Sequence, residues 1–161
     1  MNERTARSAA RLAAVQALYQ MELAGIEADE VAGEFVDHRF GHGAEMGASG
    51  EPDRDFFGAI VRGVPAHQEE IDRGIAQCLA ADWRLSRIDS TLRAILRAAA
   101  FELIARRDVP AKVVIDEYVD VGHAFFSGDE PSFVNAALDK LARRKRAAEF
   151  GEVPPDGEVE F

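Results

Sequence analysis

Along most of this chain apolar side chains recur every three or four residues, and no stretch alternates cleanly. A 3.6-residue repeat puts such residues on one side of a helix, whereas a half-buried strand needs a repeat of two. Leu12, Val15, Leu18, Tyr19 and Leu23 set the spacing in an Ala-rich stretch from 4 to 24, which Gly25 closes. Val31, Phe35, Val36 and Phe40 repeat it between Asp29 and Phe40, with Asp29 placed to cap. Phe56, Phe57, Ile60, Val61 and Val64 resume it after Asp53, and Ile71, Ile75 and Leu79 carry it past Pro65. Proline lacks an amide donor and crowds the preceding turn, so this long helix is kinked or divided at Pro65.

Asp89 or Ser90 caps a helix from about 90 to 106 with Leu92, Ile95, Leu96, Ala99 and Leu103 inward. Asp108-Val109-Pro110 ends that helix, and Pro110 suits the first turn of the next. Residues 111 to 125 are rich in β-branched side chains, which favour strands. The spacing of Val114, Tyr118, Val121 and Phe125 still predicts a helix. Pro131 opens a last helix with Phe133, Val134, Ala137, Leu138 and Leu141 inward. Arg143, Arg144, Lys145 and Arg146 lie near its end, where cations suit the helix dipole. The expected fold is all-α, with six or seven helices.

A single domain is expected over 1–148, because 161 residues is the length of one ordinary domain. The run Gly41 to Pro52, too rich in glycine to hold a helix, predicts a mobile loop. With the connection around Trp83 and Leu85, it suggests two packed helical subdomains, about 1–82 and 83–148. Residues 149–161, with Pro154-Pro155 and five acids, predict a disordered acidic tail. No apolar run reaches the 18 or more residues of a membrane span, and Met1-Asn2-Glu3-Arg4 lacks the apolar stretch of a signal peptide. The expected location is the cytoplasm. Cys78 is the single cysteine, so no internal disulfide forms, and its place beside Ile75 and Leu79 predicts a buried thiol.

A net charge of −10 argues against nonspecific attraction to nucleic acid, which rests on cations neutralising phosphates. The charge is unevenly spread. Residues 1–24 carry three arginines against two acids, and 83–148 carry twelve basic residues against nine acidic. Residues 25–82 carry four basic against thirteen acidic, and 149–161 carry five acids and no basic residue. An anionic ligand therefore meets the first helix and the later half of the chain.

Phosphate-binding loops, dinucleotide fingerprints, zinc-protease helices and nucleophile elbows are all missing from the sequence. His38, His42, His67 and His123 lack metal-ligand spacing, so no metal or cofactor is expected. Glu69, Glu70 and Asp72 read as a solvated helix face, which is commoner than a carboxylate active site. Arg4, Arg7 and Arg11, three and four residues apart, fall within one arc of the first helix and form a basic ridge. Positive charge there opposes the helix dipole by roughly 0.3 to 1 kcal/mol per exposed group. Partners such as Glu3 and crossing helices are one explanation of the ridge. The other is a ligand: guanidinium groups beside an aromatic ring suit single-stranded RNA, where cations hold phosphates and rings stack on bases. Asp129, Phe133 and Asn135 at the start of the last helix read more plainly as capping and core residues.

Four motifs, in order, resemble the bacterial NusB family of transcription antitermination factors. They are Ala13-Ala14-Val15-Gln16-Ala17-Leu18-Tyr19, Leu92-Arg93-Ala94-Ile95-Leu96-Arg97 with Phe101-Glu102-Leu103, Val109-Pro110-Ala111-Lys112-Val113-Val114-Ile115-Asp116-Glu117, and Phe133-Val134-Asn135-Ala136-Ala137-Leu138-Asp139-Lys140. The resemblance covers nearly all of residues 4 to 146. It implies two helical subdomains, no catalysis, binding of boxA RNA, and a heterodimer with NusE, a small-subunit ribosomal protein, in the RNA polymerase antitermination complex of ribosomal RNA operons. It implies RNA-binding roles for Arg4, Arg7 and Arg11 and for Asp129, Phe133 and Asn135. Ser8 and Ala9 stand where better-known members carry further arginines, and Ala136 replaces a usual glycine. Weaker RNA affinity of the chain alone, with more reliance on NusE, is the expected consequence. A second reading is a protein-interaction adaptor of the transcription complex with weak or no RNA binding of its own. A third is a fragment of a ribosomal RNA cytosine methyltransferase, which lacks support without a Gly-rich cofactor turn or a catalytic Cys motif. Monomer and homodimer both stay open.

Overall fold

A computed structural model describes residues 3–40, 51–80 and 83–152. Among them are seven α-helices: α1 Glu3–Ala24, α2 Ala28–His38, α3 Arg54–Ala66, α4 Gln68–Ala76, α5 Ser90–Ala105, α6 Ala111–Phe125 and α7 Glu130–Lys145. Short 3₁₀ turns cover Leu85–Arg87 and Ala147–Phe150. The Gly-rich stretch from 41 to 50 lies outside the described residues, as do 153–161 of the acidic tail.

The chain divides into two compact units, Met1–Ala66 and His67–Phe161. The boundary therefore falls at the end of α3 and not near residue 82. Pro65 explains this: α3 stops one residue after it, and α4 restarts at Gln68 and buries Ile71, Gly74 and Ile75. By its contacts with α5, α4 joins the second unit.

In the first unit α1 packs on α2 and α3, which also pack on each other. Ala10, Ala13, Ala14 and Ala17 are buried in α1, and such small side chains let helix backbones approach closely. Phe35, Phe40 and Phe57 pack together beside them, with Phe57 stacked on Phe35 at 5.5 Å and edge-on to Phe40 at 4.9 Å. Gly25 ends α1 at φ 66°, a left-handed position that glycine enters without a Cβ penalty. Asp29 does not cap α2. Glu27 holds the N-cap position without a side-chain hydrogen bond, and Asp29 Oδ1 instead accepts from Arg62 Nε at 2.7 Å.

In the second unit α5 is buried on most of its circumference and packs on α4, α6 and α7. Asp89 caps it, its Oδ1 accepting from the amides of Thr91 and Leu92 at 2.9 and 3.1 Å. Arg97 forks onto Asp72 of α4 at 2.9 and 3.0 Å, so Asp72 is a packing partner and not part of a solvated acidic face. The β-branched stretch is helical as its spacing predicts, with Val114, Tyr118 and Val121 buried but Phe125 38% exposed. The tail is ordered further than its composition suggests. Residues 147–150 form a 3₁₀ turn, and Glu149 Oε1 accepts from the amide of Ala111, the first residue of α6, at 2.9 Å.

Candidate nucleic-acid interface

Arg4, Arg7 and Arg11 occupy one arc of α1, and a residue of α3 lies beneath the guanidinium groups of Arg7 and Arg11. Asp53 Oδ1 accepts from the amide of Phe56 at 3.0 Å, and the Asp53 amide donates to the carbonyl of Ala6 at 3.0 Å. This paired link seats the first turn of α3 on the first turns of α1. Phe56, 2% exposed, consequently lies under two guanidinium groups, with Arg7 Cζ 4.6 Å and Arg11 Cζ 4.8 Å from its ring centroid. Each such contact contributes about 0.5 to 2 kcal/mol, more where water is excluded.

The ridge is therefore graded, not a row of three groups side by side in water. Arg4 is exposed, Arg7 is half-buried, and Arg11 is only 2% exposed. Arg7 Nη2 also stands 3.5 Å from Oε1 of Glu3, itself well exposed. The carboxylate half of this pair lies in water, so the pair itself contributes only about 0 to 1 kcal/mol. The spacing correctly put the three arginines on one arc but missed Phe56, whose place in an apolar helix pattern gave no sign that cations would cover it.

In the second unit Asp129 precedes α7, exposed and with no capping hydrogen bond from its side chain, so it is not the cap its position suggested. Phe133 is not core. It is half-buried and stacks on Trp83 with ring centroids 5.1 Å apart and planes inclined by 25°. Asp129 and Phe133, four residues apart, share a face at the start of α7. Asn135 is exposed two residues further on, about 200° round the helix from Phe133. The Phe-Val-Asn motif thus offers a ring and an amide to different directions, with Val134 buried between them.

The other arginines of the family motifs serve the fold. Arg93 Nη1 donates to the carbonyls of Leu85 at 3.1 Å and Ile88 at 2.6 Å, holding the 3₁₀ turn against α5. Cys78 is buried. Among the described residues no group of three or more His, Cys, Asp or Glu side chains is placed to hold a metal ion, and no helix is long and apolar enough to cross a membrane.

Known proteins are similar to this chain in sequence and in fold. The model of the NusB family matches residues 8–143. A transcription antitermination protein NusB of Maricaulis maris is 53% identical over 149 residues, covering 92% of this chain and 93% of that one. Its counterpart in Caulobacter vibrioides is 53% identical over 140 residues, 87% and 94% of the two chains. Among solved structures, NusB of T. maritima superposes with a TM-score of 0.75 at 26% identity, covering 90% of this chain and 96% of that one. A structure of antitermination factors NusB and NusE in complex with double-stranded RNA gives 0.72 at 25%, covering 88% and 98%. Fold and likeness together define the class, an all-helical protein of the transcription antitermination type. The chain belongs to the NusB family.

Proposed function

We propose that this chain is a noncatalytic, cytoplasmic antitermination factor that binds boxA RNA together with NusE and joins the RNA polymerase antitermination complex. One observation carries the reading: Arg7 and Arg11 of α1 are held in register over Phe56, with Arg4 exposed and Arg7 partly exposed on the same arc. Arg4 and Arg7 take phosphates, and Arg11 positions Arg7 by sharing the ring beneath it. The start of α7 adds Asp129, Phe133 and Asn135, whose polar atoms and ring suit unpaired bases. The relatives' role in antitermination and the solved NusB–NusE complex with RNA support the same assignment.

Each phosphate contact on a single strand adds about 0.7 to the slope with which log affinity for boxA falls with log salt, so Arg4 and Arg7 together account for about 1.4 of that slope. Arg4→Ala is expected to flatten that slope by about 0.7, whereas Arg11→Ala lowers affinity without changing it. Fluorescence anisotropy of labelled boxA RNA at several salt concentrations reads both, and an unchanged slope in Arg4→Ala contradicts the phosphate role.

The burial of Arg11 and the net charge of −10 favour a second reading, a protein-interaction adaptor with weak RNA binding of its own. Titrating boxA with and without NusE separates the two. NusE binding with no RNA bound in either case supports the adaptor, and RNA binding strengthened by NusE supports the first reading. The same samples on a sizing column distinguish a monomer from a homodimer.

A further inference from the structure

Trp83 is the single tryptophan of the chain, and it is 50% exposed, unusual for the largest apolar side chain. Its backbone is anchored on both sides. The Trp83 amide donates to the carbonyl of Ala80 at 2.9 Å, and the turn that follows is gripped by Arg93 through the carbonyls of Leu85 and Ile88. The indole is backed by Phe133, stacked at 5.1 Å. Two exposed arginines, Arg84 and Arg87, lie within four residues of it. An aromatic platform held in place, with exposed cations close by in sequence, is the composition by which single-stranded nucleic acids are bound, bases on rings and phosphates on guanidinium groups.

We infer that Trp83 is a base-stacking residue: its indole, supported by Phe133, takes an unpaired nucleobase of the bound RNA while Arg84 and Arg87 hold adjoining phosphates. The inference rests on the reading of this chain as an RNA binder. It adds the connection before α5, where no motif pointed. Because the platform is already ordered, a base landing on it loses little affinity to side-chain ordering. A phosphate-only role for this segment would leave the exposed indole unexplained, and a protein partner there would not require the two arginines beside it.

The full chain, titrated with boxA RNA, tests this in two channels: anisotropy of a label on the RNA, and emission of the lone tryptophan with unlabelled RNA. Expected is quenching of Trp83 emission that tracks the rise in anisotropy, with about a tenfold loss of affinity in Trp83→Ala and near-retention in Trp83→Phe. Helical circular dichroism of Trp83→Ala is expected to match the parent, since half of the residue is already in water. RNA binding with unchanged tryptophan emission and unchanged affinity in Trp83→Ala overturns the stacking role and leaves the RNA-binding reading intact. Emission that changes only on adding NusE overturns it in favour of a protein contact. No RNA binding, with or without NusE, overturns both.

Discussion

Replacing Arg146 with alanine is expected to lower the unfolding free energy by about 4 kcal/mol, the largest effect of any single change outside the apolar core. Arg146 is fully buried, and all five of its N–H groups are engaged. Nε donates to the carbonyl of Leu103 at 2.9 Å, Nη2 to those of Glu102 and Arg106 at 2.8 and 2.9 Å, and Nη1 to that of Val109 at 2.5 Å and to Glu149 Oε2 at 3.1 Å. Two of these carbonyls belong to the last turn of α5, where helical partners run out and a positive charge is favoured. Glu149 in turn accepts from the first amide of α6, so one ion pair joins the carbonyl end of one helix to the amide end of the next. Alanine leaves several carbonyls dry and unpaired. Lysine, a point charge with three donors on one nitrogen, is expected to recover less than half of the loss. Urea denaturation of the three proteins measures this, and a loss below about 1 kcal/mol for alanine contradicts the role assigned to the fork.

Phe56→Ala is expected to cost about 3 to 4 kcal/mol, the usual range for a buried phenylalanine. The more informative change is Phe56→Leu. Leucine keeps most of the volume and so most of the stability, but it offers no π face to Arg7 and Arg11. Affinity for boxA is expected to fall about threefold in Phe56→Leu with the salt slope unchanged, since the cations remain but lose their seat. Thermal unfolding and anisotropy on the same samples separate the two contributions. Unchanged affinity in Phe56→Leu means that the ring supports the fold alone.

Local pattern made much of the fold legible. Spacing marked α1, α5 and α7, and it prevailed over the strand propensity of the valines in α6 because tertiary burial of Val114, Tyr118 and Val121 outweighs a small intrinsic preference. Pro65 marked a real division, and Asp89 a real cap. What escaped were contacts between residues far apart in sequence. Arg146 reads locally as one more cation at a helix end, and nothing near it says that its guanidinium reaches carbonyls of Glu102 and Leu103. Glu149 reads as the start of an acidic tail, though it binds Ala111. Arg11 and Arg4 look alike on a helical wheel, yet Arg11 is buried over Phe56 and Arg4 is exposed. Trp83 and Phe133 are fifty residues apart, too far for any periodicity to pair them.

Photo-crosslinking answers most directly where the RNA lies. BoxA RNA carrying 4-thiouridine, bound by the chain with NusE, is irradiated and the attached peptides are identified by mass spectrometry. Attachment is expected within residues 4–11 of α1 and at the ring pair of Trp83 and Phe133. Attachment confined to NusE, or to peptides of this chain remote from both segments, contradicts the assignment of the arginines of α1 and the start of α7 to RNA.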